Sequence, residues 1–270
     1  MGGSVTADIS TKIRLQGVEK RFRSAKGEEQ IALSQLDLEI ATGEFVCLVG
    51  PSGCGKTTLT NLMAGFERPT SGEVLIGGRP VAGPDPDHIM IFQDYGLYPW
   101  RTVLGNVLFG LQAKGIPADQ ARAKALATLE LVGLQHSTGK HPHELSGGMK
   151  QRVSIARALA VEPSVLFMDE PFAALDAFTR LHLQDELLRL WQETRSTVVF
   201  VTHDLDEAIA LGQRVVLMAP NPGRIQRVIE VGLSYPRERT SHDFAEVRRQ
   251  VFNEFHLVHE QAANAAEYVI

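Results

Sequence analysis

The residues best equipped for chemistry lie in short runs. The first, GPSGCGKTT, spans Gly50 to Thr58. Glycines spaced in this way leave backbone N–H groups free to converge on phosphate oxygens, and a helix opening at the lysine adds the partial positive charge of its N-terminus. The apolar run Phe45 to Val49 precedes the loop and the helical segment NLMAGF follows it, the strand, loop and helix order that a phosphate loop requires. In that setting Gly50, Pro51, Ser52, Gly53, Cys54, Gly55 and Thr58 shape the cradle. Lys56 reaches the β- and γ-phosphates of a nucleotide, and the Thr57 hydroxyl ligates Mg²⁺.

The second run, SVLFMDEP, sets the apolar residues Val165 to Met168 ahead of an acidic pair. A buried strand of this kind delivers Asp169 and Glu170 to the carboxyl end of an α/β sheet, where such sheets place their ligands. Asp169 is then the residue to hold Mg²⁺, directly or through water. Glu170, on the other side of the strand, is the one to polarise a water for attack on the γ-phosphate.

A third run, LSGGM, opens a helix rich in Ala, Arg and Ile. Ser146 is placed to cap that helix, and the free amides at Gly147, Gly148 and Met149 make a second anion site. A phosphate loop alone suits a kinase, a GTPase or a helicase; the second anion-binding helix separates this chain from them.

The elements that must position these runs can be read from hydrophobic periodicity. Alternation marks strands at Ile13 to Val18 and Ile31 to Ile40, with a polar turn at Lys26 to Glu29, and further short strands around Glu73 to Ile76 and His88 to Phe92. From Val103 to Ala160 the pattern becomes helical, with segments at Ala118 to Val132 and Met149 to Ala160. Strands return at Val165 to Met168, Val198 to Val201 and Val215 to Met218, each beside a helix, which implies a buried parallel sheet. A turn at Asn221 to Gly223, a strand at Arg224 to Val231 and a charged helix from Ser241 to Glu260 complete the chain. The expectation is an α/β fold: a phosphate-loop NTPase core with an antiparallel β edge subdomain and an inserted helical subdomain at about 95–160.

A chain of 270 residues, 44% hydrophobic and 22% charged, buries a sizeable core, and its net charge of -5 gives no electrostatic footprint for nucleic acid. Cys47 and Cys54 make neither a disulfide framework nor a metal spacing, which fits a reducing cytoplasm. No run of about 18 apolar residues marks a membrane span. His141, His143 and His182 join no constellation and read as surface or packing residues, and Trp191 as core.

The ordered set resembles the ATP-binding subunits of ABC transporters, whose LSGGQ signature is matched by LSGGM. The resemblance covers about Ile13 to Val231 and implies an ABC ATPase domain at 1–230 followed by a short helical extension at 231–270. It also implies that the signature of one subunit caps the γ-phosphate held by its partner's phosphate loop, so that two subunits, identical or paralogous, sandwich two ATP. Phe22 matches the aromatic that stacks on adenine, where most members have Tyr. Gln93 matches the glutamine that touches Mg²⁺ or the lytic water, and His203 the histidine that contacts the γ-phosphate. Ala174, Leu175 and Asp176 match the loop joining the subunits. Met149 replaces the usual Gln, but the residues that carry the anion contacts are intact.

An ATPase without a membrane span must pass its conformational change to another component. The segment after Gln93 carries Tyr95, Leu97, Tyr98 and Trp100, and aromatics of this kind anchor interfaces. In the family this region receives a helix of the membrane subunit. The lack of spans favours an importer with separate permease subunits and an extracytoplasmic binding protein, the ATPase sitting on the cytoplasmic face of the inner membrane. The runs GLYPW, SGGMKQRV, DEPFAALDAFTR and NPGRI are similar to the nitrate, sulfonate and taurine uptake branch. The alternatives are a soluble ABC ATPase acting on a cytosolic assembly and a non-catalytic regulator that binds ATP; Glu170 and His203 speak against the latter.

Overall fold

The computed structural model describes residues 11–23 and 27–267, with side chains up to residue 257. Lys26, the first residue of the expected polar turn, lies outside the described residues.

Strand β1 (Thr11–Arg23) pairs antiparallel with β2 (Glu29–Ala41) on one side and β4 (Ser71–Ile76) on the other, and the short β5 (Arg79–Pro80) extends the edge, giving the order β2-β1-β4-β5. Register shifts along β1 mark bulges, which let the strand twist and run on to Arg23. That extension, beyond the alternating stretch, is what carries Phe22 to the rim of the site.

The second sheet has the order β10-β9-β3-β8-β7-β6, with β3 (Phe45–Val49), β6 (His88–Ile91), β7 (Val165–Asp169), β8 (Thr197–Thr202) and β9 (Arg214–Ala219) parallel and β10 (Arg224–Glu230) antiparallel at the edge. Its central strands are apolar throughout because both faces are covered. In β3, Phe45, Cys47 and Val49 face a core built with the helical lobe, while Val46 and Leu48 face a second core shared with the antiparallel sheet and α1 (Lys56–Ala64).

The lobe is made by α2 (Val103–Ala113), α3 (Ala118–Leu131) and α4 (Gly147–Ala160), which bury Val107, Ala125, Leu129 and Val153 against one another. Helices α5 (Ala177–Thr194) and α6 (Leu205–Leu211) return the chain to the parallel sheet. Trp191 of α5 is buried and donates its indole N–H to the Gly43 carbonyl at 3.1 Å, so the core assignment was right and a polar partner accompanies it. The final helix, α7 (His242–Glu267), sets Phe244 and Val251 into the same core. Arg237 secures the segment before it by donating to the carbonyls of Ile209, Gly212, Val231 and Leu233. No helix among the described residues is long and apolar enough to cross a membrane.

Candidate functional site: a phosphate cradle and a separate signature helix

The loop between β3 and α1 needs its glycines for identifiable reasons. Gly55 sits at φ 93° as the residue before α1, and a Cβ there would stand 2.4 Å from a methyl of Leu33. Across the cavity, a Cβ on Gly223 would stand 2.4 Å from the Cys54 carbonyl, so the turn after β9 can press on the phosphate loop only with glycine in place. The Lys56 side chain is buried and folds over its own loop, donating to the carbonyls of Gly50 at 2.7 Å and Pro51 at 3.0 Å. Its ammonium therefore stands in the cradle, within reach of phosphate oxygens that can take over from those carbonyls.

A cavity of about 400 Å³ opens beside this loop. Ser52, Gly53, Gly55, Lys56, Thr57 and Thr58 form its floor, and Gln93, Asp169 and Glu170 close one side. Phe22 lines the outer end, half exposed, with the Lys20 ammonium 4.8 Å from its ring centroid. Cys54 and Gly50 lie beneath, the thiol fully buried. Sequence reasoning did not assign the remaining wall to the site: Gln30, Ile31 and Ala32 of β2 and the turn Asn221 to Gly223. These residues carry no reactive group, so only the fold could place them.

Thr57 donates its hydroxyl proton to Asp169 Oδ2 at 2.7 Å. Burial pushes the Asp169 carboxyl above its ordinary range, the Thr57 bond and Lys56 pull it down, and the neighbouring Glu170 charge pushes it up again. Hydroxyl, carboxylate and amide oxygens are hard donors that suit Mg²⁺, an ion held by one or two carboxylates together with substrate phosphates. No group of three or more His, Cys, Asp or Glu side chains that could hold a metal by itself occurs among the described residues.

Glu170 adopts φ 48°, a backbone conformation that non-glycine residues occupy at a cost of roughly 1–3 kcal/mol and that clusters at functional sites. Its N–H donates to the Val201 carbonyl at 3.0 Å, which ties the kink to β8. Glu170 Oε2 lies 3.4 Å from His203 Nδ1, and the His203 side chain is largely exposed. The carboxylate and the imidazole thus face one opening from adjacent strand ends.

The signature residues are elsewhere. Ser146 caps α4, its hydroxyl accepting from the Met149 N–H at 3.3 Å, and neither it nor Gly147, Gly148 or Met149 lines the cavity. The glycines instead pack closely on their surroundings: a Cβ on Gly147 would stand 3.0 Å from the Tyr95 hydroxyl, and one on Gly148 would stand 3.3 Å from the Ala174 carbonyl. Of the expected subunit-joining residues, Ala174 is exposed, Leu175 is buried, and Asp176 caps α5 by accepting from the Thr179 N–H at 3.0 Å.

The aromatic segment after Gln93 forms one cluster at the edge of the helical lobe. Tyr98 packs its ring on Trp100 and on Phe109, while Trp100 itself is 72% exposed. Tyr95 and Leu97 are half-buried beneath. The buried Asn106 accepts from the Tyr98 N–H at 2.8 Å and directs its amide at the carbonyls of Tyr98, Arg101 and Thr102. Arg157 of α4 donates to the Gly96 carbonyl at 2.7 Å and the Tyr95 carbonyl at 3.3 Å. Phe109, Asn106 and Arg157 escaped the sequence reading, although the spacing of Asn106 and Phe109 on α2, i and i+3, points both to one end of the loop.

The geometry agrees with what the chain is similar to. The family model described as ABC transporter matches residues 33–173, more than half of the chain. The aliphatic sulfonates import ATP-binding protein SsuB of Bacillus thuringiensis subsp. konkukian is 44% identical over 243 residues, covering 90% of this chain and 95% of that protein. The bicarbonate transport ATP-binding protein CmpC of Synechococcus elongatus is 45% identical over 234 residues, 86% of this chain and 35% of that longer protein. Among solved structures, the dimeric structure of MJ0796, a bacterial ABC transporter cassette, superposes with a TM-score of 0.76 at 34% identity, covering 82% of this chain and all of the cassette. The chain belongs to the ABC transporter family, as one of its ATP-binding proteins.

Proposed function

We propose that two copies of this chain, or one copy and a close paralogue, close around two ATP, and that closure and hydrolysis drive a separate permease that imports a small anion or organic molecule. The observation that carries the reading is the separation of the two anion-binding helices. The signature at the start of α4 does not line the cradle at the start of α1, so the two meet on one phosphate group if a second chain brings its signature to this chain's cradle. The solved cassette of similar fold is dimeric, and a second structure of it is a post-hydrolysis state bound to ADP and Pi.

In this reading the phosphate-loop amides and Lys56 hold the β- and γ-phosphates, and Phe22 offers its ring to adenine. Thr57, Asp169 and Gln93 would hold Mg²⁺, which when bound would supply positive charge against the phosphate oxygens. Glu170 accepts a hydrogen bond from a water in line with the γ-phosphate and takes its proton as the oxygen attacks. The broken bond releases ADP, and the new one makes inorganic phosphate. His203, beside Glu170, contacts the γ-phosphate and helps set the position of that water. The partner's Ser146 hydroxyl and glycine amides meet the same phosphate from the opposite side; loss of the γ-phosphate removes that bond and lets the pair open.

The catalytic unit is assigned to residues 1–230 with the helical subdomain at about 95–160, and 231–270 is an extension of it. Tyr95, Leu97, Tyr98 and Trp100 form the contact for the permease, with exposed Trp100 as the anchor. The cargo is a sulfonate, taurine, nitrate or a bicarbonate-like molecule, delivered by an extracytoplasmic binding protein while this subunit stays on the cytoplasmic face of the inner membrane; the names of SsuB, for import of aliphatic sulfonates, and CmpC, for bicarbonate transport, support the sulfonate and bicarbonate members of that set. The test is affinity purification from native membranes in gentle detergent, then ATP-driven uptake by the recovered complex in vesicles. A copurifying multi-span permease that accumulates one of these solutes supports the proposal. Recovery of soluble partners alone moves the assignment to an ABC ATPase of a cytosolic assembly.

A further inference from the structure

Behind the facing pair Glu170 and His203 lies a polar network that nucleotide binding does not use. The carboxylate of Glu207, on α6, is buried. Its Oε2 accepts from the Thr202 hydroxyl at 2.6 Å and its Oε1 from the Gln184 amide at 2.8 Å. The Thr202 hydroxyl in turn accepts from the Asp204 N–H at 3.0 Å, and Asp204 caps α6 by accepting from the N–H groups of Asp206 and Glu207. The buried carboxylate therefore anchors Thr202 directly on one side of His203 and, through the Thr202 hydroxyl, the Asp204 N–H on the other.

Arg180, in the first turn of α5, connects this network to the loop 174–176. One of its terminal nitrogens donates to the Leu175 carbonyl at 3.3 Å. The other stands 4.0 Å from Asp204 Oδ2, and its Nε stands 3.9 Å from Glu207 Oε1. That Nε is buried with no hydrogen-bond partner, an unusual state for a guanidinium nitrogen next to two carboxylates. A move of about 1 Å would bring either contact to the length of a charge-assisted hydrogen bond. A small cavity of about 50 Å³, bounded by Glu170, Arg180, His203 and Glu207, leaves room for that move.

We propose that Arg180 is a positioning residue for hydrolysis: held by the Leu175 carbonyl on one side and facing Asp204 and Glu207 on the other, it relays displacement of the loop 174–176 to the backbone that carries His203. The inference rests on the reading that a second copy meets this loop. In a single chain the guanidinium stops short of both carboxylates. When the neighbour presses on Ala174, the Leu175 carbonyl shifts, Arg180 engages Asp204 and Glu207, and His203 is fixed against Glu170. Hydrolysis is thereby tied to assembly, while ATP binding is left to the cradle, which Arg180 does not line.

The experiment compares steady-state ATP hydrolysis by the full chain with its Arg180→Gln and Arg180→Lys variants, and ATP-dependent dimerisation of Glu170→Gln with and without Arg180→Gln. We expect Arg180→Gln to lower kcat at least tenfold with KM for ATP within twofold, Arg180→Lys to recover at least a third of the loss on a logarithmic scale, and both Glu170→Gln proteins to dimerise. A dimer with unaltered kcat in Arg180→Gln removes the relay alone. Loss of dimerisation together with kcat, or failure of Arg180→Lys to recover any activity while its unfolding midpoint falls, makes Arg180 a structural contact and overturns the proposal. A Glu170→Gln protein that stays single in ATP removes the sandwich reading, and the relay with it.

Discussion

Asn106 offers a prediction whose size follows from geometry. It lies on α2 with no exposed surface, and its side chain is the internal brace of the loop that presents Trp100. Its carbonyl oxygen takes the Tyr98 N–H at 2.8 Å, and its amide faces carbonyls of Tyr98, Arg101 and Thr102 at 3.2, 3.2 and 3.0 Å. An amide has two hydrogens, so these contacts amount to one accepted and about two donated bonds. At roughly 1 kcal/mol each, with a penalty for leaving the Tyr98 N–H without a partner, Asn106→Ala is expected to weaken the loop by about 2–4 kcal/mol. With 1.4 kcal/mol to a factor of ten, amides between residues 95 and 106 should exchange with deuterium roughly 30- to 700-fold faster in the variant. ATP affinity should change less than twofold, because Asn106 does not line the nucleotide cavity. Acceleration below threefold would refute the claim that this side chain holds the loop in place.

Lys56→Ala removes the ammonium that stands in the cradle; loss of hydrogen bonds to charged oxygens should weaken ATP binding roughly 10- to 150-fold by calorimetry with the far-ultraviolet spectrum unchanged, and affinity within threefold would contradict the assignment. Trp100→Ala should leave ATP binding by the isolated chain intact and weaken capture of the permease by roughly 30-fold or more, as expected for an interface anchor; undiminished capture would remove Trp100 from the contact. Cys47 and Cys54 are both buried, and burial pushes both thiols up from their ordinary range, so a thiol reagent at pH 8 should find none in the native chain and both after unfolding. A native signal suppressed by ATP would instead show that the phosphate loop opens.

How much of this was legible in the sequence depended on whether the residues concerned carry their own signal. The strands β3, β7, β8 and β9 are short apolar runs beside helices, and their bounds fall within a residue of the expected ones because burial on both faces demands uninterrupted apolar side chains. The phosphate loop and the acidic pair were legible because their chemistry needs particular residue types at particular spacing. The far wall of the cavity, at Gln30 to Ala32 and Asn221 to Gly223, was not legible as such: its role is shape, and shape is set by pairing between segments far apart in the chain. Likewise β1 was expected to stop at Val18, since its bulges break the alternation that the eye follows. The Arg180 and Glu207 network had no motif to announce it, and became visible only once α5 and α6 were packed side by side.

The measurement closest to the central claim is the mass of Glu170→Gln by light scattering in saturating ATP and Mg²⁺. The variant keeps the cradle and the signature but lacks the carboxylate that takes the proton of the attacking water, so two chains should remain locked around unhydrolysed nucleotide. We predict twice the mass of one chain with ATP, and a single chain after ATP is washed out. A single-chain mass throughout, with ATP bound, would contradict the claim that each ATP site is completed by a second chain.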